Sequence, residues 1–145
     1  MPKDEIKNRI IEGMKKAGLR LTSQRLAIVD ILADTRTHPS AAAIYAAAKK
    51  AAPTVSLSTV YLALDALKRA GLIRELEFDD RDSRYEGDVS DHLNLVCREC
   101  GRIVDFPADS PVPAERVEKT TGFKVSEVRL EYYGCCRRCS SRKTA

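Results

Sequence analysis

Two Cys-x-x-Cys pairs, Cys97 with Cys100 and Cys136 with Cys139, bracket the last third of this chain. A turn of that kind aims both sulfurs at one point, and four thiolates in two such pairs suit a single tetrahedral zinc ion. Such a site is closed, with no position left for water, so its expected role is structural: it fastens the C-terminal tail to the strand hairpin around "RECG". A pair of redox disulfides and unrelated buried cysteines are the competing readings. Cys135 is surplus, because the spacing favours Cys136 as the partner of Cys139; it is left as a spare thiol.

At 145 residues the chain can bury one ordinary core, or two small cores that support each other through a metal or a partner chain. No apolar run approaches the length of a membrane span, and "MPKDEIKNRIIEGMKKAG" is a charged amphipathic stretch without the apolar centre of a signal peptide. A cytoplasmic protein with no membrane partner is therefore expected. In that reducing setting five cysteines argue for metal ligation or thiol chemistry over a disulfide framework. The formal net charge of +4 is unevenly spread: residues 1–74 hold 13 Lys and Arg against 6 Asp and Glu, and the remainder 12 against 15. A basic front half suits a polyanion such as nucleic acid, although charge alone favours solvated helix faces until a motif intervenes.

Ile6, Ile10, Ile11 and Met14 fall on one face of a helix over residues 3–16, with Gly18 as its stop. Thr22 is placed to cap a second helix with Leu26, Val29 and Leu32 inward, and Ser40 to cap a third that ends before Pro53. "TVSLSTVYLALDALKRAGL" reads as a fourth, capped by Ser56 and closed by Gly71, with Leu57, Val60, Leu64 and Leu67 inward and Ser58, Thr59, Leu62 and Ala66 outward. Two helices joined by about four residues fit a helix-turn-helix, and equally any helical hairpin. The next stretch of chain favours the former: "LIRELEF" and "RYEGDV" read as strands around the polar turn "DDRDS", giving the order of a winged helix. Beyond residue 88 the character changes. "HLNLVC" and "RIVDF" alternate as strands, "PAERVEKTTGF" suggests a helix ending near Gly122, "KVSEVRLEYYG" a long strand, and "SSRKTA" a frayed tail. The fold class expected is α+β: a winged helix-turn-helix domain over residues 1–85, a boundary over 86–91, and a small α/β domain over 92–145 that carries the four-cysteine zinc site.

Taken in order, "AGLRLTSQR", "HPSAAAIY", "SLSTVY", "AGLIRE", "SRYEGDVSDHLNLVCRECGRIVDF", "TGF" and "YYGCCRRC" resemble the ferric uptake regulator (Fur) superfamily from about Lys15 to Cys139. The resemblance implies a homodimeric repressor that binds an operator in double-stranded DNA, an A·T-rich inverted repeat, with residues 86–91 as a hinge and 92–145 as an α/β dimerisation domain. It also implies the structural zinc and a second, regulatory metal, Fe(II), Mn(II) or Zn(II), that closes the dimer onto DNA. Carried over by position, the regulatory ligands are His38, Glu86, His92, Asn94 and Asp105. The family usually has His where this chain has Asn94, and an amide is a far poorer transition-metal ligand than imidazole. Without the resemblance, His38 beside Pro39 reads as a surface or capping residue, and His92 with Asp105 as a hydrogen-bonded pair.

Asp105 and the wording of "DSRYEGDVSDH" look closest to the peroxide-responsive (PerR) branch. There peroxide meets bound Fe(II), a histidine ligand is oxidised and the grip on DNA is lost; the oxidisable histidines map to His38 and His92. Among DNA contacts, Arg20 matches the family position that reaches a minor groove, and Ser58, Thr59 and Tyr61 lie at the start of the recognition helix. Tyr61 reads equally as core packing. Leu62 stands where the family offers Arg or Asn; a leucine can press on a thymine methyl and cannot read guanine, which sets the base read at that contact apart from the family's usual one.

Three other functions compete. The same fold without a working regulatory metal would be controlled through thiols such as Cys135, or by no signal. A zinc enzyme needs an open coordination position and a general base, as in HxE before PCxxC, and "HLN" with "VCREC" offers neither, so no enzyme is expected. A zinc-stabilised interaction module would lack salt-dependent affinity for duplex DNA.

Overall fold

The structure, a computed structural model, describes residues 1–78 and 80–144. They form two compact units, Met1–Val89 and Ser90–Ala145. Asp79, at the head of the expected wing turn, and Ala145, the last residue of the expected tail, lie outside the described residues.

The first unit runs α1 (Lys3–Lys16), α2 (Ser23–Leu32), α3 (Ala41–Ala51), α4 (Leu57–Arg69), β1 (Arg74–Leu76) and β2 (Arg84–Glu86). Three helices start where a hydroxyl accepts an otherwise orphaned backbone N–H: Thr22 from Arg25, Ser40 from Ala43 and Ser56 from Thr59. α4 ends at Gly71, whose φ of +72° lets the chain reverse while Gly71 and Leu72 donate back to Lys68 and Leu67. The core gathers Ile6, Ile10 and Met14 of α1, Ile28 and Leu32 of α2, Ile44 of α3 and Leu64 and Leu67 of α4, all 2% exposed or less. β1 and β2 pair antiparallel with Arg74 opposite Glu86, a hairpin directly behind α4. Helix-turn-helix followed by hairpin is the winged-helix order.

Leu57 departs from its expected inward place and is 43% exposed, while Ala63 is buried on the face assigned to the core. At the first helical position a side chain leans back toward the N-terminus, beyond the end of the core. Leu26 is only partly buried, and Ile28 takes the deeper position.

The second unit runs β3 (Leu93–Cys97), β4 (Ile103–Phe106), α5 (Ala114–Thr121), β5 (Glu131–Gly134) and α6 (Arg137–Thr144). Its sheet has the order β4-β3-β5, antiparallel between β3 and β4 and parallel between β3 and β5. Two expectations are corrected here. The long strand read over "KVSEVRLEYYG" shrinks to Glu131–Gly134, because β3 begins only at Leu93 and offers nothing along which residues 124–129 can form a ladder. The tail "SSRKTA" is helical through Thr144, because the turn that starts at the second cysteine pair continues as α6, with Ser140 donating to the Cys136 carbonyl. Among the described residues the buried apolar side chains of this unit are Val96, Cys97, Ile103 and Cys139 alone. That is too little to hold so small a unit by the hydrophobic effect.

The segment that leaves β2 is fastened within the first unit. Arg9 of α1 donates to the carbonyls of Leu72 and Gly87, Arg74 donates to the Val89 carbonyl at 2.8 Å, and the N-terminal amine lies 3.9 Å from Asp88. Gly87 is pressed against the end of α2, where a Cβ would collide with the Leu32 carbonyl oxygen. Gly87→Ala is therefore expected to lower stability by about 1–3 kcal/mol, because backbone and not a flexible side chain must give way; urea unfolding followed by circular dichroism measures the loss.

Candidate functional site

The knuckle after β3 turns at Gly101, φ +74°, with Gly101 donating to the Cys97 carbonyl and Cys97 to that of Arg102. The parallel register sets Cys97 beside Gly134, and Arg98 donates to the Gly134 carbonyl at 2.8 Å. This lays Cys136 against the knuckle, where its N–H donates to Cys97 Sγ at 3.3 Å. One turn of α6 brings in Cys139. The four sulfurs of Cys97, Cys100, Cys136 and Cys139 all lie within 4.8 Å of one another, with Cys100 and Cys136 at 3.8 Å. Sulfurs at about 2.3 Å around a tetrahedral ion stand about 3.8 Å apart, so the cluster needs little contraction to close on one. Cys135, the surplus thiol, is exposed and outside the cluster.

The thiols are electrostatically divided. Backbone N–H groups of Cys100 and Cys136 hold the Cys97 thiol down to about 6, and the Cys139 backbone lowers Cys136. The hydrogen bond to Cys136 pushes Cys139 up to about 12. Four thiolates cannot coexist in so small a volume without a cation; a divalent ion removes that conflict and makes all four ligands.

Of the other five expected ligands, His38 and Glu86 stand together in the first unit. The segment before α3 runs beside β2: Ser40 bridges to Arg84, the Pro39 carbonyl accepts from the Tyr85 N–H at 2.9 Å, and the His38 carbonyl accepts from Arg84 Nε. This carries His38 Nε2 to 3.4 Å from Glu86 Oε2, with both side chains all but fully buried. The Arg74 guanidinium is 3.8 Å from the other oxygen of Glu86.

His92, Asn94 and Asp105 stand together in the second unit. His92 Nδ1 lies 2.8 Å from the Ser90 carbonyl, an acceptor only, so that nitrogen carries a proton, and in the neutral ring Nε2 holds the lone pair. Nε2 is 3.6 Å from Asp105 Oδ1, a close approach without a good hydrogen bond. Asn94 is opposite Asp105 across the ladder and two residues from His92, on the same face of β3. It is buried, and its Oδ1 has no hydrogen-bond partner among the described residues. Buried amide oxygens are seldom left so, and an orphaned acceptor beside an imidazole and a carboxylate suits a cation.

A second surface lies on α4. Ser58 is exposed, Thr59 half-buried with its hydroxyl 2.9 Å from Ser56 Oγ, and Tyr61 and Leu62 are 53% and 71% exposed, so Tyr61 is not a core residue. Arg20, in the link between α1 and α2, is exposed, its carbonyl accepting from Arg25. The wing is braced to this helix by Lys68 of α4, 2.6 Å from Glu75 of β1, which accepts in turn from the Tyr85 hydroxyl of β2. Sequence reasoning missed that brace, the Arg9 tether and the Ser90 partner of His92. The brace and the tether join different elements, Arg9 across more than sixty residues, which no periodicity within one element signals.

Comparison with known proteins gives this geometry a context. The model of the ferric uptake regulator family matches residues 16–133. The peroxide operon regulator of Bacillus subtilis is 40% identical over 134 residues, 92% of each chain. The peroxide-responsive repressor PerR of Staphylococcus aureus is 36% identical over 133 residues, 91% of this chain and 90% of that one. Among solved structures, the Helicobacter pylori ferric uptake regulator, described as having three functional metal binding sites, aligns with a TM-score of 0.70 at 26% identity, covering 97% of this chain and 95% of that one. The Streptococcus pyogenes PerR aligns at 0.53 with 32% identity, covering 92% of each. With a family model spanning most of its length and relatives matched almost end to end, the chain belongs to the ferric uptake regulator family.

Proposed function

We propose that this protein is a metal-dependent, peroxide-responsive repressor that acts as a homodimer on double-stranded DNA, with an A·T-rich inverted repeat as operator. The observation that carries the reading is the division of the ligand set. His38 with Glu86 stands in one unit, and His92, Asn94 and Asp105 in the other, in a chain whose relatives are peroxide regulators. Ligands contributed by two units can share an ion only in one arrangement of those units, so binding selects that arrangement. Nitrogen and oxygen donors suit Fe(II) or Mn(II), whereas the four thiols of Cys97, Cys100, Cys136 and Cys139 suit a separate structural zinc. Bound Fe(II) supplies the redox chemistry by which peroxide oxidises a histidine ligand, His38 or His92. Ser90 keeps His92 in the tautomer that a ligand needs, and the carboxylates of Glu86 and Asp105 balance the charge.

Dimerisation is supported by the second unit's surface. Phe106, Phe123, Tyr132 and Tyr133 are each more than 40% exposed, and α5 buries none of its residues. DNA binding is supported by the winged-helix order, the exposed start of α4 and Arg20, and the basic balance of residues 1–74.

Metal analysis is expected to find one zinc per chain, retained in Cys135→Ser and lost in Cys97→Ser or Cys139→Ser. The second unit then unfolds, because such sites supply about 10 kcal/mol or more of folding free energy; thermal melts read the loss. In anaerobic fluorescence anisotropy with the upstream DNA of its own gene, Mn(II) or Fe(II) is expected to tighten binding of the zinc-loaded protein by about tenfold or more, about 1.4 kcal/mol of coupling. Peroxide should then release the Fe(II) form and spare the Mn(II) form. Tight binding indifferent to either metal overturns the regulatory site and turns the search to thiol control. Asn94→His, by replacing an amide with an imidazole, is expected to raise Mn(II) affinity by about tenfold or more in calorimetric titration.

A further inference from the structure

The leading edge of α4 is apolar. Leu57, Tyr61 and Leu62 are 43%, 53% and 71% exposed, while Val60, Ala63, Leu64 and Leu67 face the core. The first eight residues of the helix, "LSTVYLAL", contain no Arg, Lys, Asn or Gln, the side chains that read guanine or adenine through paired hydrogen bonds. The cations farther along are engaged: Arg69 is 3.1 Å from Asp65, and Lys68 2.6 Å from Glu75. Thr59 shares its hydroxyl with the Ser56 cap, which leaves Ser58 and the Tyr61 hydroxyl as the polar groups of that edge. A helix so composed has little with which to read bases by hydrogen bonding. Yet it belongs to a unit whose first 74 residues hold 13 cations against 6 acids, a surface matched to a polyanion. In the major groove the one apolar group is the thymine 5-methyl.

We infer that α4 reads its operator through thymine methyls, with Leu62 as the specificity-determining contact and Leu57 and Tyr61 enlarging the apolar edge. This rests on the reading of the first unit as DNA-binding. Leu62 covers a methyl and excludes water from it, a contact that discriminates thymine from cytosine and is blind to guanine. The apolar edge, exposed in the unbound protein, is thereby covered on DNA.

The test uses the full-length protein loaded with zinc and Mn(II), and a duplex that it selects from a random library. Each thymine of that duplex is then replaced singly by uracil, which removes the methyl and nothing else. Affinity is expected to fall about fourfold at each contacted thymine, the equivalent of about 0.8 kcal/mol for one buried methyl-sized group. Leu62→Ala, at a position exposed enough to leave folding intact, is expected to weaken binding to the thymine duplex. It should also abolish the thymine–uracil difference at one position per half-site, leaving the differences elsewhere. Leu62→Arg, taken through the same selection, is expected to move the preferred base at that position from thymine to guanine. Uracil tolerated at every position, or a Leu62→Ala loss equal on thymine and uracil duplexes, overturns methyl reading while DNA binding stands. Failure to enrich any duplex overturns the DNA-binding reading itself, and the inference with it.

Discussion

The second unit depends on four sulfurs, because it has almost nothing else. Of its described residues, only Val96, Cys97, Ile103 and Cys139 are buried and apolar, and two of these belong to the thiol cluster. A sheet of three short strands and two eight-residue helices cannot recover its chain entropy from so small a core. The cluster closes the parallel pairing of β5 on β3 and ties α6 to the knuckle, so one ion held there, as proposed, would act where a core is missing. The same poverty leaves Phe106, Phe123, Tyr132 and Tyr133 at the surface, where a second copy of the chain would cover them.

The first unit is built the other way, with a full core and little need for help. Its rigidity matters for what it positions. His38 reaches Glu86 only because residues 38–40 run along β2, and that hairpin is braced to α4 through Lys68, Glu75 and Tyr85. Helix, wing and two of the five proposed ligands are thus parts of one packed body. Arg9, Arg74 and Gly87 extend that body to Val89, so a change of state at Glu86 bears on elements already fixed to α4.

Much of this was legible from residues close in the chain. Thr22, Ser40 and Ser56 announce helix starts, Gly71 and Gly122 announce stops, and each stands where expected. The two cysteine pairs group four candidate metal ligands by spacing alone, and the proposed regulatory ligands rest on a family resemblance. Less legible was anything that depends on where an element meets its neighbour. Leu57 fits the apolar period of α4 yet lies beyond the core's edge, and "KVSEVRLEYYG" alternates like a strand along its whole length yet pairs over only four residues.

By itself the sequence determined α1 to α5, the hydroxyl caps of α2, α3 and α4 and the grouping of cysteines into two turns, because these follow from forces acting within four residues: hydroxyl caps, glycine stops and the side-chain period of a helix. The tertiary structure decided the parallel register that brings Cys136 to Cys97, the approach of His38 to Glu86, and the length of β5. Each of these is a choice of partner between residues distant in the chain. Such choices are settled by which surfaces can be buried together and which backbone groups find mates, and a local pattern carries neither.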